Sequence, residues 1–502
     1  MGKLKMFLTY AFLSAYNFIK FRLFKNGLKE RQFTIRECLE ILGAELPLGF
    51  SANDKRLQKK VYVCARKMCF MRNCIYLKGD LSNADMKYAL KNGAIAILSK
   101  EQISNFPCII VPDTTEAYVK LMTVFRDKVS QSVVAVTGSV GKTSTKNMIA
   151  TTLKNASKTF CIRDNMNRPD YACCLLQNVP ENSEFFVQEV DEGTHKSTEY
   201  ASQMLRPKVA VVTNVGISHF QNFGSYEGIA ENIMGVSKGL AKDGILIING
   251  DDARSVDALK YVNCNVVKVG IDNKDCDCIA QNIRATENAT IDFDIVYKGQ
   301  TYPASISVVG KHNIYNAMVA FVTAQFLGLP VDKALAGVKK FKTNGVRQNL
   351  IKAGQNLVYV DCFNAAPNSM KTALDTLATL PVKDGCKRIA VLGDMLEFGD
   401  ISEQTHRDVG KIAGHSQADI VIAFGPYSKF IYEEAKLLKE NVFYAKTHKE
   451  LNAYLKKHAK SGDALLFKAS RGMHLEKSIF NRFPLHCFFK IFCSNIFLFH
   501  DI

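Results

Sequence analysis

The stretch that decides the fold is residues 133–145, which read Val-Val-Ala-Val-Thr-Gly-Ser-Val-Gly-Lys-Thr-Ser-Thr. Its β-branched apolar half predicts a buried strand, and the glycines that follow break that strand into a loop. A helix is predicted next, over 142–155, so backbone N–H groups of the loop and of the helix start face one space. This arrangement predicts a cradle for nucleotide phosphates, in which Lys142 pairs with the β- and γ-phosphates and Thr143 holds Mg²⁺.

The loop is shorter than the common eight-residue form, because Gly138 lies three residues before Gly141 and Val136 occupies the usual first-glycine position. An ordinary glycine-rich turn between a strand and a helix is the alternative interpretation. Gly-Lys-Thr-Ser at this place favours the phosphate loop. The loop residues expected to bind the nucleotide are Gly138, Ser139, Gly141, Lys142, Thr143 and Ser144.

Length and composition indicate a globular protein of about three domains. The chain has 502 residues, too many for one core, and 47% of them are hydrophobic while 23% are charged. The net charge of +17 would suit an anionic partner, but much of the excess lies near the two ends and no nucleic-acid-binding motif accompanies it. We therefore expect no nucleic-acid partner. The 15 cysteines, an odd number without metal-ligand spacing, favour a reducing cytoplasm over a disulfide framework.

Both ends of the chain are apolar and basic. Residues 6–19 are apolar but too few to span a bilayer, and the tail from Phe480 onward is rich in phenylalanine. Each end could contact a membrane surface or pack on the body of the protein, and the sequence leaves both open. No small-residue cleavage site follows residue 19, which argues against a signal peptide. The expected location is the cytoplasm, and peripheral contact would place the chain at the inner face of the membrane.

Hydrophobic patterning predicts an α/β fold in which strands and helices alternate. We expect an N-terminal extension (1–31), a small α/β domain (32–127), a central P-loop domain with a mainly parallel sheet (128–345), a Rossmann-like domain (346–480) and a tail (481–502). A short helix is predicted over 34–42. The predicted strands are 73–77, 94–98, 108–111, 133–137, 185–190, 209–214, 244–249, 357–363, 389–393, 420–425 and 464–468.

Polar clusters follow several of these strands, at the edge where open α/β sheets bind ligands. Glu189 closes one strand and could coordinate a metal, with His219, after the next strand, as a direct or indirect partner. A purely structural role for His219 is the alternative. Further polar clusters occupy 361–370, 392–399 and 468–472, and each of them alone could be an ordinary loop.

Taken in order, and with Gly-Lys-His-Asn-Ile-Tyr-Asn-Ala at 310–317, these clusters resemble the motifs of the Mur ligase family. The segments at 364–370 and 393–399 are similar to the branch that attaches D-alanyl-D-alanine to a UDP-N-acetylmuramoyl tripeptide. The resemblance covers about residues 32–480. It implies an N-terminal domain for the UDP-linked substrate, a central ATPase domain and a C-terminal Rossmann-like domain that brings the amine. We expect a monomer.

The resemblance also implies the chemistry, an ATP-dependent ligation of a carboxylate to an amine with ATP and Mg²⁺ as cofactors. The carboxylate attacks the γ-phosphate, the amine attacks the acyl phosphate, and inorganic phosphate leaves. The implied catalytic residues are Lys142, Glu189, His219 and Arg347, and the implied metal ligands are Thr143, Glu189 and His219. The remaining implied nucleotide contacts are Asn313, Asn316, Arg347 and Asp361. The implied substrate contacts are Arg66, Asn165, Asn167, Asn364, Lys468, Ser470 and Arg471. Asp394 and Glu397 are assigned to loop structure.

The chain departs from the family pattern in three places. Ile233 stands where the family carries a modified lysine that bridges two magnesium ions, so a second metal would need Glu227 or Glu231. Cys-Ala-Arg at 64–66 replaces Asp-Ser-Arg at the uridine site, and the Asp-Gly-His that normally follows is missing from 79–89. The paired asparagines of the family appear as Asn-Met-Asn-Arg at 165–168.

These departures leave three functions open. The first is the cell-wall ligase. The second is a specialised relative that forms an amide on a uronic acid or another carboxylate of a capsule or envelope polysaccharide precursor. The third is a non-catalytic, nucleotide-binding scaffold at the membrane, which Ile233 supports and the intact Lys142, Thr143, Glu189 and His219 oppose.

Overall fold

A computed structural model describes residues 33–64, 73–79, 82–91, 93–161, 166–169, 175–177, 179–286, 290–343, 345–396 and 398–483. Across these residues the chain forms three sheets in succession, each flanked by helices. Most neighbouring strands are parallel, as predicted for an α/β fold. The division into domains at 127/128, 345/346 and 480/481 stays a prediction.

The N-terminal sheet has five strands in chain order, of which the first pair is antiparallel and the rest are parallel. Thr34 caps the first helix through a capping box with Glu37, so this helix begins one residue later than predicted. The strands are β1 (Phe33–Thr34), β2 (Lys60–Cys64), β3 (Cys74–Leu77), β4 (Ala94–Ser99) and β5 (Cys108–Ile110). The helices are α1 (Ile35–Leu42), α2 (Asn83–Lys91) and α3 (Thr114–Asp127).

The central sheet has nine strands. They are β6 (Ser132–Thr137), β7 (Thr159–Phe160), β8 (Phe185–Glu189), β9 (Val209–Val212), β10 (Ile245–Asn249), β11 (Asn265–Gly270), β12 (Cys278–Ala285), β13 (Ile291–Tyr297) and β14 (Gln300–Ile306). Their order is β14-β13-β12-β11-β10-β9-β6-β8-β7, and only the β12-β13-β14 meander is antiparallel. The described helices are α4 (Lys142–Lys154), α5 (Ser197–Leu205), α6 (Phe220–Phe223), α7 (Tyr226–Met234), α8 (Ala253–Asp257), α9 (His312–Phe326) and α10 (Val331–Lys340).

The C-terminal sheet has six strands, of which the first is antiparallel to the second and the rest are parallel. They are β15 (Asn349–Ala353), β16 (Asn356–Asp361), β17 (Arg388–Gly393), β18 (Ile420–Phe424), β19 (Val442–Ala445) and β20 (Ala464–Lys468). Their order is β15-β16-β20-β17-β18-β19. The helices are α11 (Pro367–Thr379), α12 (Ser402–His415), α13 (Lys429–Leu438), α14 (His448–His458) and α15 (Glu476–Arg482).

The hydrophobic core covers both faces of the central sheet. On one face it is continuous with the N-terminal sheet, because Leu121 and Phe125 of α3 belong to the same buried cluster as Leu205 of α5. On the other face, Ile149 of α4 and Ile314 of α9 belong to one buried cluster. Both faces of the central sheet are therefore covered by apolar packing. The polar loops lie at the edge formed by the carboxyl ends of the parallel strands, where such sheets bind ligands.

The predicted strands and helices lie within two residues of the observed ones. The antiparallel meander of the central sheet was not predicted, although β13 alternates between buried and half-buried side chains. Among the described helices, none is long and apolar enough to cross a membrane. Residues 6–19 and the tail beyond Phe483 lie outside the described residues, so their predicted membrane contact stays a prediction.

Candidate active site

The phosphate loop lies between β6 and α4 and is held by the segment that follows β9. The Thr213 hydroxyl donates to the carbonyl of Val140 at 2.6 Å, and the Val140 N–H donates to Oδ1 of Asn214 at 3.0 Å. Gly138 has φ +125°, and a Cβ at this position would lie 2.3 Å from the Thr213 hydroxyl oxygen. Only glycine fits there, so the shape of the loop depends on that residue and on the neighbouring strand.

Lys142 is the first residue of α4, and its ammonium group spans the loop. It donates to the carbonyl of Gly138 and to Oε1 of Glu192, with both N–O distances 2.6 Å. In this structure the charge expected to meet phosphate is therefore neutralised by a carboxylate.

Thr143 and Glu189 form the centre of the predicted metal site. The Thr143 hydroxyl donates to Oε2 of Glu189 at 2.7 Å, and the side-chain amide of Asn167 donates to Oε1 at 3.0 Å. Thr143 and Glu189 are both buried, and the ammonium group of Lys146 lies 4.0 Å from Oε2. A hydroxyl and a carboxylate are the oxygen ligands that Mg²⁺ prefers, so this pair fits the ion.

His219 lies next to Glu192. Its Nε2 is 3.9 Å from Oε1 of Glu192. Its backbone is left-handed, with φ +59°, at the start of the short helix α6. The sequence analysis singled out His219 but missed the carboxylate that it faces.

Glu192 is the residue that sequence reasoning missed at this site. Its side chain is 1% exposed, and burial raises the pKa of its carboxyl group while the charge of Lys142 acts against that rise. Oε2 is buried and has no hydrogen-bond partner in the described part of the chain. The acidic pair Asp191-Glu192, one residue beyond the end of β8, was the available sequence signal.

Asn313 and Asn316 join α9 to the phosphate-loop helix. Oδ1 of Asn316 accepts from the Thr145 hydroxyl of α4 at 2.7 Å, and the amide of Asn316 donates to Oδ1 of Asn313 at 3.0 Å. Both asparagines are buried. Buried amide groups without hydrogen-bond partners would be costly. The hydrogen bond between Asn316 and Thr145 therefore fixes α9 against α4.

A chain of polar contacts continues from α4 into the C-terminal sheet. The Ser144 hydroxyl donates to Oε1 of Gln348 at 3.1 Å, and the backbone N–H of Gln348 donates to Asp361 at 3.3 Å. Lys468 is buried, and its ammonium group donates to Oδ2 of Asp361 at 2.6 Å and to the carbonyl of Asn364 at 2.9 Å. The structure thus brings Ser144, Asp361, Asn364 and Lys468 together through Gln348, which the sequence analysis did not identify.

The other predicted residues of the C-terminal part have partners of their own. The guanidinium of Arg347 stacks on the ring of Phe363, 3.3 Å from its centroid. The Ser470 hydroxyl accepts from the backbone N–H of Leu396 at 2.9 Å, and Arg471 donates to Glu476 at 2.5 Å.

Asp394 lies within a loop network, as its assignment to loop structure predicts. Its Oδ1 accepts from both the backbone N–H and the hydroxyl of Ser428, each at 2.7 Å. Glu397, Arg66 and Asn165 lie outside the described residues, so their predicted roles stay predictions.

Ile233, which stands where the Mur ligase family carries a modified lysine, is part of the hydrophobic core. Ile233, on α7, is fully buried in the cluster shared with the N-terminal sheet. Glu227 and Glu231, on the same helix, are both exposed. In the described residues, no group of three or more histidine, cysteine, aspartate or glutamate side chains lies close enough together to hold a metal ion.

Comparisons with known proteins agree with this geometry. The family model for the Mur ligase middle domain matches residues 136–324, and the model for the glutamate ligase domain of the same family matches residues 346–471. The UDP-N-acetylmuramoyl-tripeptide–D-alanyl-D-alanine ligase of Bacillus subtilis is 33% identical over 448 residues, which cover 87% of this chain and 96% of that protein. The chain belongs to the Mur ligase family. Its members are ATP-dependent ligases that form amide bonds and release ADP and phosphate, and this chain is such a ligase.

Two further comparisons support the family and the fold. The Escherichia coli protein of the same name is 30% identical over 403 residues, which cover 78% of this chain and 84% of that protein. A crystal structure of MurF from Acinetobacter baumannii superposes with a TM-score of 0.78 at 21% identity, covering 90% of this chain and 98% of that chain. The predicted three-domain Mur ligase architecture is confirmed.

Proposed function

We propose that the chain joins D-alanyl-D-alanine to a UDP-N-acetylmuramoyl tripeptide, using ATP and Mg²⁺. The observation that carries this proposal is the similarity to the Bacillus subtilis ligase along 96% of that protein's length. It favours the cell-wall ligase over a ligase for polysaccharide carboxylates and over a scaffold without activity. The proposal includes a monomer in the cytoplasm, with the domain boundaries predicted from the sequence.

On the nucleotide side, the phosphate loop and α4 would bind the phosphates through backbone N–H groups. The Lys142 ammonium would leave Glu192 and pair with the β- and γ-phosphates, because phosphate carries more negative charge than one carboxylate. Thr143 and Glu189 would hold Mg²⁺, which neutralises phosphate charge when it is bound. Asn313 and Asn316, joined to α4, would fix the nucleotide's base, with Arg347 and Asp361 closing over it from the C-terminal part.

The reaction would proceed in two displacements. A carboxylate oxygen of the tripeptide attacks the γ-phosphorus, the bond to the β-phosphate oxygen breaks, and ADP leaves. The amine nitrogen of D-alanyl-D-alanine then attacks the acyl carbon, the carbon–oxygen bond to phosphate breaks, and the nitrogen loses its proton. The chain's contribution to both steps is positioning and charge neutralisation.

The two substrates would contact different sets of residues. Arg66, Asn165 and Asn167 would contact the UDP-linked substrate. Lys468 is fixed by Asp361 and by the carbonyl of Asn364, so its charge faces one direction. The residues proposed to line the amine site are Asn364, Lys468, Ser470 and Arg471.

Mass spectrometry of reaction products tests this proposal. Purified protein is incubated with ATP, Mg²⁺, the UDP-N-acetylmuramoyl tripeptide and D-alanyl-D-alanine, and Lys142→Ala serves as the inactive control. The expected result is a UDP-N-acetylmuramoyl pentapeptide with equimolar ADP and phosphate. A wild-type protein that forms no pentapeptide, but forms an amide on a uronic-acid precursor or none at all, would overturn the proposal.

A further inference from the structure

A buried carboxylate beside the phosphate loop has one oxygen without a partner. Glu192 is 1% exposed, its Oε1 accepts from Lys142 at 2.6 Å, and its Oε2 has no hydrogen-bond partner among the described residues. Buried polar atoms in folded proteins are nearly always paired with protein, water or an ion. The unpaired oxygen therefore marks a place where a positively charged or donating group belongs.

The ion pair with Lys142 also cannot persist when phosphates bind as proposed. If the Lys142 ammonium pairs with the β- and γ-phosphates, Oε1 of Glu192 loses its strong donor. A buried carboxylate without a cation is costly, because the interior does not replace the water that would solvate it. Nucleotide binding thus creates a demand for a second positive charge at Glu192.

The groups around Glu192 suit a divalent cation. Nε2 of His219 lies 3.9 Å from Oε1 of Glu192. The amide of Asn232 donates to the backbone carbonyl of Glu192 at 2.9 Å, and this bond holds the residue in place. Carboxylate oxygens are the ligands that Mg²⁺ and Mn²⁺ prefer, and neutral histidine is a common metal ligand in proteins.

The carboxylates of the neighbouring helix α7 offer no alternative ligand. Ile233 is fully buried in the hydrophobic core, and its side chain carries no atom that could ligate a metal. Glu227 and Glu231 are exposed. We propose that Glu192, with His219, ligates a second divalent cation when nucleotide phosphates draw Lys142 away, in the place of the lysine-derived ligand of the family. This inference rests on the proposed phosphate-binding role of Lys142.

Counting bound Mn²⁺ tests the inference without the ligase reaction. Electron paramagnetic resonance measures free Mn²⁺ during titration of the full chain, with a non-hydrolysable imido analogue of ATP and without either substrate. Wild type is expected to bind two Mn²⁺ per chain with the analogue. Glu192→Gln is expected to bind one, with the second affinity weakened at least tenfold. Glu231→Gln, the matched control at an exposed position of α7, is expected to bind two.

The remaining variants separate a lost ligand from a damaged fold. Glu192→Asp keeps the negative charge on a shorter side chain, so the second metal site is expected to remain with weaker affinity. Thermal unfolding shows whether each variant is folded. The affinity for the ATP analogue shows whether each variant binds nucleotide. Two Mn²⁺ of unchanged affinity in Glu192→Gln, or one Mn²⁺ in wild type, would overturn the inference. Failure of the proposed function itself is recognised separately, as an absence of pentapeptide product.

Discussion

The proposed nucleotide half and the proposed amine half of the site are attached to the molecule in different ways. The phosphate loop is held by Thr213 and Asn214 from the adjacent strand of its own sheet, through hydrogen bonds of 2.6 and 3.0 Å. The C-terminal residues reach the loop through the hydrogen bond from Ser144 to Gln348 and through apolar contacts of Val140 and Ile217 with the C-terminal core. We infer that the loop keeps its shape independently, whereas the amine half depends on docking.

The largest effect is expected from removing the charge at the centre of the nucleotide half. Lys142→Ala is expected to reduce amide formation by about 10³-fold or more, because the charge that neutralises the transferred phosphate is lost. Phosphate release under saturating substrates measures it. Lys154→Ala, at the exposed other end of α4, is the control and should keep wild-type activity. Retention of more than a tenth of the activity in Lys142→Ala would contradict this role.

A second test asks whether the loop's shape is set by the adjacent strand. Gly138→Ala is expected to lower the free energy of unfolding by about 3–5 kcal/mol, since the added methyl collides with Thr213 and the backbone is strained. Gly354→Ala has φ +65° but open space, so about 1–2 kcal/mol is expected. Urea denaturation measures both changes. Equal losses in the two variants would show that contact with Thr213 does not matter.

A smaller effect is expected at the contact between the two halves. Ser144→Ala and Gln348→Ala each remove one side of a hydrogen bond of 3.1 Å. A double-mutant cycle on the affinity for the non-hydrolysable ATP analogue is expected to give a coupling energy of about 1 kcal/mol. Additive effects of the two changes would mean that the docked arrangement contributes nothing to nucleotide binding.

An effect of similar size concerns the pH dependence of stability, through His406 on α12. His406 is buried, its Nε2 accepts from the backbone N–H of Met395, and its Nδ1 lies 2.6 Å from the carbonyl of Ser402, so the neutral ring fits. Burial lowers the pKa of His406. The unfolded chain therefore takes up a proton first as pH falls below about 6.5, and the free energy of unfolding drops by at most about 1.4 kcal/mol per pH unit.

Unfolding of wild type and His406→Gln between pH 7.5 and 5.5 measures this contribution. The wild-type curve is expected to fall more steeply with decreasing pH than the curve of the variant. Parallel curves would show that His406 is not kept neutral by its surroundings.

The sequence predicted those parts of the site whose determinants are local. The strand, the glycines and the start of α4 are contiguous in residues 133–145, and Glu189 stands at the end of a recognisable strand. Local patterning sufficed because strand and helix periodicity decide where such a loop begins and ends.

The partners of these residues were not predictable in the same way. Glu192 is 50 positions from Lys142, and Gln348 is 204 positions from Ser144, so only the fold brings each pair together. Glu192 was hidden by the more familiar interpretation of Glu189 three residues earlier. The antiparallel meander was missed for another reason, since the alternation of apolar and polar residues in the sequence of β13 was not interpreted as a strand period of two.

Oxygen isotope transfer is the most direct test of the central claim, that the chain activates a carboxylate as an acyl phosphate. The tripeptide carboxylate is labelled with ¹⁸O in the substrate, and the phosphate released during amide formation is analysed by mass spectrometry. One ¹⁸O atom per phosphate is expected, because the carboxylate oxygen that attacks phosphorus leaves with it. Unlabelled phosphate, formed together with the amide product, would contradict it.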